Sequence, residues 1–131
     1  NFLSSQDGVL STINSFRYND KESMPTNAES RNKKFQTIKV NTVSLNDLIK
    51  NEFNDVSPSY ISIDTEGSEY EILKNFNFSK YNPIFLSIEH NFTSNQKYLD
   101  KLMIKNDYIR IFRKITSFDG WYVKKEVLNK H

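Results

Sequence analysis

With 131 residues, 37% hydrophobic and 14% aromatic side chains, the chain holds enough material for one domain with its own core. A formal net charge of +2 argues against nucleic acid or an anionic membrane as partner, and no apolar run approaches the ~20 residues of a membrane span. Cysteine is absent, which excludes disulfides and thiolate metal sites, and only Gly8, Gly67 and Gly120 are glycine, too far apart for a glycine-rich phosphate loop.

Residues 1–36 carry little pattern. Val9-Leu10, Ile13 and Phe16 make a brief apolar cluster, and Asn19 to Lys34 is polar with Pro25 inside it, so a loop-rich N-terminal segment is predicted. Arg31-Asn32-Lys33-Lys34 reads as a solvated loop. The chain opens on Asn1 rather than Met, as expected of a processed or partial chain. From residue 37 to 131 the pattern is regular. Thr37–Val43 alternates and predicts a strand with one wet face.

Three helix starts share the capping box, in which a Ser or Thr caps a backbone N–H and a polar residue three positions on reaches back. They are Ser44…Asp47, Ser68…Glu71 and Thr93…Gln96, predicting helices over about 45–52, 69–76 and 94–105. The third aligns Tyr98, Leu99, Leu102 and Met103 on one face, with Asn106 as a left-handed terminator. Tyr60–Ile63 and Ile84–Ile88 lack polar alternation, as strands covered on both faces do. Tyr108–Arg113 and Trp121–Lys124, around a turn at Asp119-Gly120, predict an antiparallel hairpin that ends an α/β domain. Asn77-Phe78-Ser79 and Asn91-Phe92-Thr93 match the glycosylation acceptor pattern, but in so asparagine-rich a chain they read as chance.

Chemistry concentrates at Asp64-Thr65-Glu66-Gly67-Ser68-Glu69-Tyr70-Glu71. Ligands of open α/β sheets bind beyond the carboxyl ends of the strands, where Asp64 and Glu66 would face them. Asp64, at a helix start, suits the helix dipole and can orient a hydroxyl, act as a weak base or bind a hard cation. The plainer alternative is that Asp64 and Glu66 only help cap the helix. Gly67 is expected at positive φ, and Glu69 either binds substrate or only complements the dipole. The second strand end gives Glu89-His90-Asn91. On a neighbouring parallel strand, Glu89 and His90 would reach the same rim, and His90 would be the natural general base. It reads equally well as an exposed loop histidine. Asp64, Glu66, Glu89 and His90 also offer oxygens and a nitrogen to a divalent ion, without the spacing that would mark a metal motif.

At these residues the chain resembles the FkbM-type S-adenosylmethionine-dependent methyltransferases. The matching pieces are Val40–Ile49, Ile63-Asp64-Thr65-Glu66-Gly67-Ser68-Glu69 with Ile72-Leu73, Pro83–Glu89 and Asn106-Asp107-Tyr108, together spanning about residues 37–125, with Ser11-Thr12-Ile13 as a possible preceding loop. The resemblance implies a partial Rossmann-like methyltransferase sheet, its C-terminal strands parallel with an antiparallel hairpin at the end. It implies methyl transfer from S-adenosylmethionine to a hydroxyl of a sugar or natural product, in the cytoplasm. Asp64, Glu66 and His90 are then the expected catalytic residues, with Asp64 also touching the cofactor. Glu69, Glu89 and Asn91 are expected on the side of the small-molecule or glycan acceptor. The family's glycine-rich loop and ribose-holding acid have no counterpart in this sequence. These residues are therefore expected to form the C-terminal part of the enzyme, inactive alone, with an exposed edge at Tyr60–Ile63 that invites a homodimer. A non-catalytic α/β binding or dimerisation module that kept the acidic rim is the rival reading, and a metal-dependent hydrolase a third.

Overall fold

The computed structural model describes residues 2–4, 12–13, 36–91 and 93–129. A small sheet sets β1 (Phe2–Ser4) between β2 (Thr12–Ile13) and β3 (Gln36–Ile38), antiparallel to both. The larger sheet joins β4 (Tyr60–Ile63), β5 (Phe85–Glu89), β6 (Tyr108–Ile111) and β7 (Asp119–Lys124) in the order β4-β5-β7-β6. β4 and β5 run parallel, and β7 is antiparallel to both β5 and β6. The helices are α1 (Leu45–Glu52), α2 (Glu69–Lys74), α3 (Asn95–Lys105) and the short α4 (Lys125–Leu128). The domain is mixed α/β around an open four-stranded sheet.

Side chains alternate across a strand, so each strand of the sheet gives one set to the helices. Ile61 and Ile63 of β4, with Leu86 and Ile88 of β5, meet Ile49 of α1, Leu73 of α2, and Leu99 and Met103 of α3 in one buried cluster. Tyr108 and Tyr122 complete it from β6 and β7. Each such aliphatic side chain contributes about 1.5–3 kcal/mol by leaving water. Tyr108 can be buried because its hydroxyl donates to the Pro83 carbonyl at 2.6 Å. The alternate set of residues faces the other way. Tyr60, Phe85, Trp121 and Phe112 form an aromatic row there, with neighbouring ring centroids 5.4, 5.8 and 6.0 Å apart. The Tyr60 hydroxyl lies 2.7 Å from Ser87 Oγ, which donates to Ser62 Oγ at 3.0 Å.

Several sequence expectations need adjustment. The predicted strand Thr37–Val43 is realised only as Gln36–Ile38, and Lys39–Val43 leaves the sheet. Its alternation finds no core to face, since Ile38, Val40 and Val43 are all exposed. The compositional boundary at residues 36/37 therefore falls inside β3, and two short strands lie within the segment expected to be loop-rich. At Ser44 the N-cap half of the box forms: Ser44 Oγ accepts from the Asp47 N–H at 3.1 Å and donates to Asp47 Oδ2 at 2.7 Å, so the Asp47 carboxylate meets the hydroxyl rather than the backbone. The Ser68 and Thr93 boxes do not, because Ser68 Oγ donates to Thr65 Oγ1 and Thr93 Oγ1 to the His90 carbonyl. Asn106 stays right-handed at φ −100°, and the left-handed residue after α3 is Asp107 at φ 65°.

Gly120 does not make a turn. It lies inside β7, where a Cβ would come 2.6–2.8 Å from the Tyr122 ring, so the glycine makes room for that tyrosine. The Val9-Leu10 cluster, Phe16 and the basic stretch Arg31–Lys34 lie outside the described residues. Of the two acceptor-like asparagines, Asn91 is buried, and Asn77 Oδ1 caps its own turn by accepting from Ser79 Oγ and the Lys80 N–H.

Candidate active site

The site follows from register. β4 and β5 carry the same pattern, aromatic-aliphatic-Ser-Ile, and pair in phase as Tyr60↔Phe85, Ile61↔Leu86, Ser62↔Ser87 and Ile63↔Ile88. The next residue on each is an acid, Asp64 and Glu89, and adjacent strands lie only about 4.8 Å apart. Both acids alternate onto the face away from the helices. Glu66 joins them from the turn. One carboxylate oxygen from each of Asp64, Glu66 and Glu89 lies within 4.8 Å of the other two. Asp64 is exposed, and Glu66 and Glu89 are half-buried.

The turn is unusual backbone. Glu66 has φ 55° and Gly67 φ 111°. A left-handed non-glycine residue costs about 1–2 kcal/mol, so something must hold it there. Glu69 does. Buried at the start of α2, its Oε1 accepts from the Thr65 N–H at 2.9 Å, Thr65 Oγ1 at 3.0 Å and the Gly67 N–H at 3.0 Å. Glu69 thus turns inward and braces the loop, and its carboxylate is not on the open rim.

Three carboxylates so close compete for protons. Burial, then a hydrogen bond to Asp64 and the charges of Asp64, Glu66 and Glu69, push the Glu89 carboxyl up to about 8. At neutral pH the protonated form of Glu89 is therefore favoured. A cluster of this kind attracts positive charge, whether a proton, a sulfonium or ammonium group, or a hard divalent cation.

His90 is placed elsewhere. One position past Glu89, it alternates to the helix side and is buried. Its Nε2 lies 2.7 Å from Nη2 of Arg110, and a guanidinium can only donate, so Nε2 is the acceptor and the ring is neutral. Burial and then the Arg110 charge hold His90 below the usual imidazole range. Asn91, also buried, takes φ 45° and turns the chain out of β5. The expected rim of Asp64, Glu66, Glu89 and His90 therefore assembles as Asp64, Glu66 and Glu89, with His90 behind it. Alternation along Ser87-Ile88-Glu89-His90 was the sequence signal for that separation. Arg110, which the sequence reading passed over, has no local motif to announce it.

A family model described as the Methyltransferase FkbM domain matches residues 3–119. The chain belongs to the FkbM methyltransferase family. No match was found among curated proteins or among solved structures. The FkbM match includes the whole acidic turn, both parallel strands and all of the small β1–β3 sheet but Phe2, and so extends upstream of residues 37–125 and takes in Ser11-Thr12-Ile13. Among the described residues of this FkbM domain, no helix is long and apolar enough to cross a membrane.

Proposed function

We propose that this FkbM domain supplies the acceptor-side wall of an S-adenosylmethionine-dependent methyltransferase, acting on a hydroxyl of a sugar or other small natural product in the cytoplasm. The observation that carries the reading is the cluster of Asp64, Glu66 and Glu89 at the carboxyl ends of two parallel strands, where open α/β sheets bind ligands. The strand order β4-β5-β7-β6, with antiparallel β7 set between β5 and β6, supports reading the sheet as the second half of a Rossmann-like methyltransferase sheet.

The donor set suits this cofactor, since a sulfonium is cationic and the rim is anionic. When bound, the cofactor supplies an electrophilic methyl group. Asp64 and Glu66 would hold its charged end, and the Asp64–Glu89 pair would orient the acceptor hydroxyl and take its proton. His90 is not assigned the proton, because its Nε2 is already occupied by Arg110. Catalysis is then mostly positioning plus proton removal. With three separated glycines and no glycine-rich turn, these 131 residues alone are expected to bind the cofactor weakly and to be inactive.

Calorimetry with S-adenosylmethionine and S-adenosylhomocysteine, on this chain and on a longer protein that contains it, tests the reading. If the longer protein binds neither compound, the reading fails. Among the described strands β4 is an edge, which favours a second reading, a non-catalytic module that pairs with another copy of itself. A sedimenting dimer without any cofactor affinity would support that instead.

A further inference from the structure

Arg110 on β6 has only 4% of its side chain exposed. Its Nη2 donates to His90 Nε2 at 2.7 Å and to the Asp119 carbonyl at 3.3 Å. Nη1 stands 3.6 Å from Asp100 Oδ2, and neither Nε nor Nη1 has a hydrogen-bond acceptor among the described residues. Burying a guanidinium with open donors is costly, and an apolar side chain of similar length would pack there without that cost.

The compensation lies in where the group reaches. Arg110 extends from β6 across β7 to the end of β5, and both of its acceptors border Glu89. His90 follows Glu89 in the chain, and Asp119 is the register partner of Glu89 on β7. The backbone closes the same point, since the His90 and Asn91 N–H groups both donate to the Phe118 carbonyl, at 2.9 and 3.2 Å. From α3, Asp100 backs the arginine while accepting from the Tyr122 hydroxyl at 2.8 Å and pairing with Arg113 at 3.5 Å.

We propose that Arg110 and His90 form a positioning pair that locks the end of β5, so that Glu89 is presented to Asp64. The catalytic meaning of the clamp rests on the methyl-transfer reading, whereas its geometry does not. His90 serves as a neutral hydrogen-bond acceptor. Arg110 acts on the rim through backbone placement.

NMR of the isotopically labelled 131-residue chain at one pH tests this, with no cofactor present. The 15N ring shifts of His90, distinguishable from its one companion His131, are expected to report the Nδ1–H tautomer. Arg110→Met and His90→Leu are expected to speed amide exchange at His90 and Asn91 by at least about threefold, leaving the exchange of buried β7 amides unchanged. His90→Gln keeps an acceptor for Arg110 and is expected to restore the wild-type rate. A change below threefold in Arg110→Met, or a His90→Gln chain as fast as His90→Leu, overturns the proposal. If Arg110→Met does not fold, the two His90 variants decide. Absence of cofactor binding in calorimetry would sink the methyltransferase reading and leave these rates untouched, so the two failures are distinguishable.

Discussion

Replacing Glu89 by glutamine tests the crowded rim directly. The folded chain holds the Glu89 proton more tightly than the unfolded chain, with the carboxyl raised from 4.5 to about 8. By linkage, this contribution to stability is fully present below about pH 4.5 and is lost as pH rises through about 8. At about 1.4 kcal/mol per pH unit the whole span would amount to about 5 kcal/mol. Glu89 is only half-buried, so solvent screening reduces that to about 1–2 kcal/mol. Glu89→Gln imitates the protonated form at every pH. Urea unfolding of both proteins between pH 5 and pH 9, with a chelator present, should give a stability difference that shifts toward the variant by about 1–2 kcal/mol as pH rises. A difference that stays constant over that range would refute the raised Glu89 carboxyl.

Glu69→Ala removes the oxygen that accepts three hydrogen bonds from the acidic turn and should cost about 2–4 kcal/mol in urea unfolding, whereas Glu69→Gln, which keeps an acceptor, should cost less. Gly120→Ala puts a Cβ against the Tyr122 ring and should cost about 1–3 kcal/mol, with the Tyr122 hydroxyl losing its bond to Asp100, visible as a change in tyrosine absorbance.

The parts of the fold that declare themselves locally were legible. α1 begins at the Ser44 N-cap, β4 lies where its apolar run put it although one face is open rather than both covered, and Gly67 takes the positive φ its position required. What escaped depends on partners distant in sequence. Thr37–Val43 has the alternation of a strand, but pattern alone does not supply a core to bury it. Gly120 looked like punctuation until the Tyr122 ring was placed over it. At the candidate site, the nearness of Asp64 and Glu89 follows from their position at strand ends, and that of Glu66 from the turn after β4. His90 was misplaced because nearness to the rim in sequence was weighted above the alternation that turns it inward. The phased repeat of Tyr60–Asp64 and Phe85–Glu89 was present in the residues and would have set Asp64 against Glu89 before any coordinates.

β4 has one hydrogen-bonded neighbour among the described strands, and Asp64, one of the three acids of the cluster, follows its last residue. Strands with a single neighbour release first in partial unfolding, while β5 and β7, each flanked on both sides, hold. The carboxylate cluster is therefore a property of a fraying element. Its lifetime is set by the opening of one strand, and because Ile61 and Ile63 of that strand share the core with Leu86, Leu99 and Met103, mild denaturant or warming that dissolves the cluster should loosen the core beside it.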